Sequence, residues 1–195
     1  MFYLFFLIQF ILSLISIYLF NQLKKYQYLA NHDSLTGLLN RSEIENQLIK
    51  RMKYVKKNPD TCILYYLIDI DNFKQINDSK GHSYGDKVLK IVSNVLLLSI
   101  RTNHSNKIKF DLLRNDIIGR IGGDEFIIIL LIKKNQKHTI SNIIRNRIYE
   151  TLDCCTLSIG LSTFTSVNKI NMEDILNKAD KKLYQAKNNG KGQLC

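Results

Sequence analysis

The chain has 195 residues, 45% of them hydrophobic and only one proline, which suits one globular domain with a short extra segment and excludes a disordered protein. Its four cysteines (Cys62, Cys154, Cys155, Cys195) have neither C-x-x-C spacing nor the density of a secreted disulfide scaffold, so they read as reduced thiols. The formal charge of +11 falls wholly in residues 21–195; it reads either as affinity for an anionic partner or as lysines that only solubilise an Ile-, Asn- and Lys-rich chain.

Residues 1–20, MFYLFFLIQFILSLISIYLF, carry no charge, and Gln9, Ser13 and Ser16 are their only polar residues. Helix of that length rises about 30 Å, the thickness of a bilayer core. A cleaved leader would show a basic start, a shorter apolar run and small residues before the cut, and this stretch shows none. It is expected to be a single-span anchor with no extracytoplasmic sensor domain before it. Lys24 and Lys25 follow at once, which places the rest of the chain in the cytoplasm. Residues 21–32 contain helix formers without proline or glycine, so the helix is expected to run on as a linker into a domain spanning 33–195.

Within that domain the periodicities alternate. Ser42 and Glu45 form an S-x-x-E capping-box pattern ahead of Ile44, Leu48, Met52 and Val55 on one helical face. Residues 62–69, CILYYLID, make a strand, and residues 86–100 a second helix. Residues 117–121 and 125–132 read as paired strands around Gly122-Gly123, a dipeptide suited to the positive φ of a hairpin turn. Residues 139–152 read as helix, TLSIGLS as strand and residues 172–187 as the last helix. Strands alternating with helices plus one hairpin give an α/β sheet of mixed direction covered by helices.

Three clusters carry chemistry. Asp69-Ile70-Asp71-Asn72-Phe73-Lys74 closes the first strand, and the strand period puts Asp69 and Asp71 on one face. A carboxylate ending an apolar strand is costly unless it is paired or holds a cation. Asp124-Glu125 sits at the hairpin tip; with the hairpin beside the first strand, Asp69 and Asp124 meet at one sheet edge. Hard oxygens near lysines are what a divalent ion with a nucleoside triphosphate requires. Each cluster alone is more simply a solvated turn or a helix cap. The third cluster, Lys187-Asn188-Asn189-Gly190-Lys191, reads by itself as ordinary C-terminal capping.

Six blocks, in order, resemble the GGDEF-domain diguanylate cyclases: DSLTGLLNR (33–41), IDIDNFKQINDSKGHSYGD (68–86), RIGGDEF (120–126), LSIG (157–160), ADKKLY (179–184) and AKNNGKG (186–192). The resemblance implies a mixed five-stranded sheet with surrounding helices, related to adenylyl cyclase catalytic domains and polymerase palms. It implies two facing domains, each loaded with GTP, that make cyclic di-GMP and two pyrophosphates. By the same resemblance, Asp69, Asp124 and the Ile70 carbonyl would hold divalent ions, Mg²⁺ or Mn²⁺, two per site. Glu125 would be a second-metal ligand or the base for the 3′-hydroxyl. Asn77 and Asp86 would read guanine, with His82 hydrogen-bonding in the same loop. Lys74, Lys187 and Lys191 would grip phosphates, and Gly122 and Gly123 would let the backbone approach them.

The chain also departs from the family pattern. An inhibitory product site, R-x-x-D, would place its Asp at Asp116, but Leu113 stands where its arginine belongs and Arg114 is displaced by one. Product inhibition is therefore not expected. Lys191 stands where arginine is more usual, and residues 133–151 are short for the family. The leading expectation is an active homodimeric cyclase anchored in the inner membrane. The alternative is a silent GGDEF domain that binds GTP or a protein partner. A nucleic-acid-binding protein would need basic and aromatic residues interleaved on one surface, and would leave Asp69, Asp124 and Glu125 unexplained.

Overall fold

The computed structural model describes residues 2–100, 116–166 and 171–195. The apolar start of the chain forms α1 (Phe2–Asn31), one unbroken helix of 30 residues that carries straight on through the expected linker. Phe5, Phe10, Leu14, Ile17 and Phe20 all stand exposed. Its segment Phe5–Asn31, 27 residues with mean hydropathy 1.8, is long and apolar enough to cross a bilayer by length and composition.

Asn40 joins α1 to α2 (Arg41–Lys57). Its Nδ2 donates to the Ala30 carbonyl at 2.6 Å, and its Oδ1 accepts from the Glu43 amide at 3.1 Å. The helix therefore starts two residues earlier than the Ser42/Glu45 pattern implied. Asn40, extended at φ −82° and ψ 172°, is the N-cap, and Ser42 and Glu45 lie inside the helix. Ile44, Leu48, Met52 and Val55 bury the expected face.

Four strands make the sheet among the described residues, in the order β2-β3-β1-β4. β1 (Thr61–Ile70) is buried along its whole length and pairs antiparallel with β3 (Glu125–Lys133) and β4 (Leu157–Thr165). β2 (Ile117–Gly122) pairs antiparallel with β3. The mixed five-stranded sheet is thus corrected to four antiparallel strands. The crossover through α3 (Phe73–Lys80) and α4 (His82–Ile100) does return β2 in the direction of β1, but β3 lies between them. Among the described residues parallel pairing survives only as single bridges at the two edges, Leu39 to Gly119 and Ile159 to Leu194, too short to count as strands.

Alternation along β1 builds two cores. Leu64, Tyr66 and Ile68 face α4 and α5 (Lys137–Thr151), while Ile63, Tyr65 and Leu67 face α2 and α6 (Met172–Asn188). α6 begins with a reciprocal capping box between Asn171 and Asp174 and lies flush on β4. A Cβ at Gly160 would stand 2.0 Å from the Ala179 carbonyl oxygen and 2.5 Å from the Leu183 nitrogen. Both are backbone atoms, so the helix itself would have to move. Gly160→Ala is expected to cost about 1–3 kcal/mol, measured by equilibrium urea unfolding.

Candidate active site

The β2–β3 hairpin ends beside the C-terminal end of β1, because their register pairs Asp69 with Glu125. The Ile70 amide donates to the Asp124 carbonyl at 3.3 Å. Three acids from two distant sequence blocks therefore meet, as expected. The turn is made possible by Gly122 at φ 148° and Gly123 at φ 53°, with a register shift between Arg120 and Gly122. The space where their side chains would stand is open.

Like charges directly opposite on paired strands repel. Burial pushes the Asp69 carboxyl above its usual range; the Asp124 and Asp71 charges add to that, and Lys187 opposes it. Glu125 is raised in the same way, by burial and then by Asp69 and Asp124. Glu125 also lines a cavity of about 260 Å³ between α2, α6 and the sheet, with Tyr65, Leu67 and Ile121. Lys187 Nζ, from the last turn of α6, lies 2.7 Å from Asp69 Oδ2. Among the described residues no three His, Cys, Asp or Glu side chains close into a ready metal cluster. The donor set nevertheless fits a hard divalent cation: carboxylate oxygens that raise one another's pKa are relieved by positive charge, and Lys187 now supplies part of it.

Asp71, expected beside Asp69, has another occupation. Only 4% exposed, it accepts from Thr156 Oγ1 at 2.7 Å, Ser158 Oγ at 2.6 Å and the Gly192 amide at 3.0 Å. That tie brings the C-terminal segment to the end of β1. Lys191, itself at φ 63°, then donates to Asn72 Oδ1 at 2.6 Å. Lys187 thus reaches an acid and Lys191 the amide three residues further on, contacts across the chain that ordinary helix capping does not require.

The other expected contacts lie on α3 and α4. Lys74 is exposed in the first turn of α3, and His82 and Asp86 are exposed in the first turns of α4. Asn77 Oδ1 is buried without a hydrogen-bond partner. It sits where a Cβ at Gly85 would stand, 1.9 Å away. A buried amide oxygen with no partner between two helices is a receptor in want of a donor. Gly85, which makes room for it, went unnoticed in the sequence although it adjoins Asp86.

Arg120 also escaped assignment. Its Nη1 reaches Asp33 Oδ1 at 3.1 Å, while Nε and Nη2 donate to the Gly123 carbonyl at 3.0 and 2.8 Å. Against the cost of burial, hydrogen bonds from Thr36 and Arg120 hold Asp33 below its usual range. Leu113 and Arg114 lie outside the described residues. Asp116 is half-buried, and burial pushes its carboxyl up to about 6 although the Arg51 guanidinium works the other way.

Comparison with known proteins agrees with this geometry. Residues 30–193 match the family model described as diguanylate cyclase, GGDEF domain. The chain belongs to the GGDEF diguanylate cyclase family. It is 30% identical over 187 residues to the probable diguanylate cyclase DgcT of Escherichia coli K12, covering 91% of this chain and 38% of that protein. It is 33% identical over 177 residues to a diguanylate cyclase of Vibrio cholerae, covering 86% of this chain and 50% of that one. The chain thus spans half or less of these relatives. The coiled coil and GGDEF domain of DgcB from Caulobacter crescentus, solved with c-di-GMP, shares its fold at TM-score 0.75 and 23% identity, with 93% of each chain covered.

The half-buried Asp116 of this GGDEF domain makes a pH prediction. An acid raised in the folded state contributes stability that is complete below its unfolded pKa of about 3.9. That contribution is lost as pH rises through about 6. Asp116→Asn is therefore expected to gain stability relative to the unmodified protein between pH 4 and pH 7.5, read as the difference in Tm across that range.

Proposed function

We propose that this chain is an active diguanylate cyclase that works as a homodimer anchored in the inner membrane by α1. The observation that carries the reading is the 2.7 Å contact between Lys187 and Asp69, which brings the lysine of the last turn of α6 to the acid that pairs with Glu125. In the reaction, the 3′-hydroxyl of each GTP attacks the α-phosphorus of the other, and two pyrophosphates leave. Asp69, Asp124, Glu125 and the Ile70 carbonyl would hold Mg²⁺ or Mn²⁺. Such ions, when bound, acidify the attacking hydroxyl and neutralise the leaving phosphates.

The chain's own residues do the rest. Lys187 and Lys191 leave their present acceptors, Asp69 and Asn72, for phosphate oxygens, a small movement for long side chains already in place. Lys74, at the start of α3, meets the same triphosphate. The unpaired Asn77 Oδ1 accepts from a guanine N–H, and Asp86, one residue beyond Gly85, accepts from N1 and N2. His82 completes that loop. Glu125, raised by burial and then by its acidic neighbours, accepts the hydroxyl proton or shares the second ion. α1, apolar on every side, holds two copies in one plane, where their effective concentration rises.

Mass identification of the product from GTP and Mg²⁺ tests the reading. Asp124→Ala and Glu125→Ala are each expected to lose about 100-fold or more in turnover, with unchanged circular dichroism. Near-normal turnover in both would refute the assignment. Gly85→Ala should displace Asn77 and raise KM for GTP several-fold, with a smaller change in kcat. Steady-state kinetics with GTP and ATP reads both that change and the base preference.

A further inference from the structure

The polyphosphate site leaves a pair of thiols unused. Between α5 and β4, Cys154 and Cys155 are half-buried against the core face that α4 and α5 cover, and their Sγ atoms stand 3.7 Å apart. Two sulfurs sharing one tetrahedral ion at the zinc–thiolate distance of about 2.3 Å stand roughly 3.8 Å from each other. The bite is already set.

Oxidation suits this pair poorly. Consecutive α-carbons are about 3.8 Å apart, shorter than the roughly 4.4–6.8 Å that disulfides span, so a bond between neighbours is strained. Burial, with the Cys154 and Asp71 charges beside it, also pushes the Cys155 thiol up to about 12. Free thiolate, the form that oxidants attack, is then scarce. A cation removes that obstacle, because a coordinated thiol gives up its proton to the solvent.

We infer that Cys154 and Cys155 form a two-thiolate site for a soft divalent cation of the zinc and cadmium class, with water in its remaining positions. Binding forms two metal–sulfur bonds and releases two protons, and needs no oxidant or reductant. The site lies one residue from Thr156, whose hydroxyl donates to Asp71 and whose carbonyl accepts from the Asp71 amide at 3.0 Å. Asp71 in turn holds Gly192, next to Lys191. Drawing the two sulfurs onto an ion therefore acts on the tie that sets Lys191. Any effect on cyclic di-GMP synthesis rests on the function proposed above; the binding itself does not.

The test is cadmium titration of the reduced, full-length protein in detergent, followed by the ultraviolet thiolate-to-cadmium charge-transfer band. The expected result is one Cd²⁺ per chain with two protons released. Cys154→Ser and Cys155→Ser should each abolish the band, and Cys62→Ser and Cys195→Ser should keep it. Cys154→Ala and circular dichroism guard against a variant that fails to fold. A missing band, a band that survives in Cys154→Ser, or one lost in Cys195→Ser overturns the assignment. Cadmium should also slow synthesis in the unmodified protein more than in Cys154→Ser. A protein that shows the band but makes no cyclic di-GMP would refute the cyclase reading and leave the thiol site standing.

Discussion

Three donors converge on Asp71, one residue beyond the end of β1: two hydroxyls from the start of β4 and one backbone amide from the C-terminal segment. A buried carboxylate is tolerated only when its oxygens are satisfied. Hydrogen bonds to a charged group contribute about 1.5–3 kcal/mol each, and losing one leaves the charge exposed to an apolar surround. The arrangement of the site follows from this tie. It fixes where β4 begins and how the chain returns after α6, and hence where Lys191 stands. Lys187 stands on α6 itself and is held by Asp69.

The acids beside it are costly. Asp69 is 7% exposed and faces Glu125 across the strand pair, with Asp124 adjoining, so burial and repulsion act together. Lys187 offsets part of that cost, and the +11 charge of the chain gives the region a positive background. Acids made costly by burial and repulsion, with two lysines bonded beside them, suit the proposed ligand, which is itself both cation and polyanion. A metal–triphosphate has that character. The same features would be a poor way to stabilise a fold whose only task was to pack.

Much of this was legible in the chain. The β-branched and aromatic run ending in Asp69, the Gly122-Gly123 turn and the lysine pair near the C-terminus each encode local geometry, and the meeting of the acids follows once the hairpin lies beside β1. The cap of α2 was misread because Ser42 and Glu45 match a familiar pattern, while Asn40 wins by bonding α1 as well as α2. The fifth strand came from the family resemblance; the sequence itself has four runs of strand length, and its edges close with single bridges. Asp33–Arg120 joins residues 87 positions apart, and Asn77–Gly85 depends on a helix packing angle. Neither has a periodicity or a motif that a single sequence displays.

The Asp33–Arg120 contact holds the turn from the β2 side. Arg120 spans from Gly123 to Asp33, and Asp33 is the second residue after α1 ends. Asn40, bonded to both Ala30 and Asn31, locks the end of α1 to the start of α2. The acid turn is therefore braced on the β2 side by Arg120, tied to Asp33 just after α1, and on the β1 side by the Ile70 amide, which donates to the Asp124 carbonyl. Left-handed glycines give the turn no stiffness of their own. Its geometry is set by these two braces, which is how a flexible pair of residues can present carboxylates at a fixed distance from Asp69.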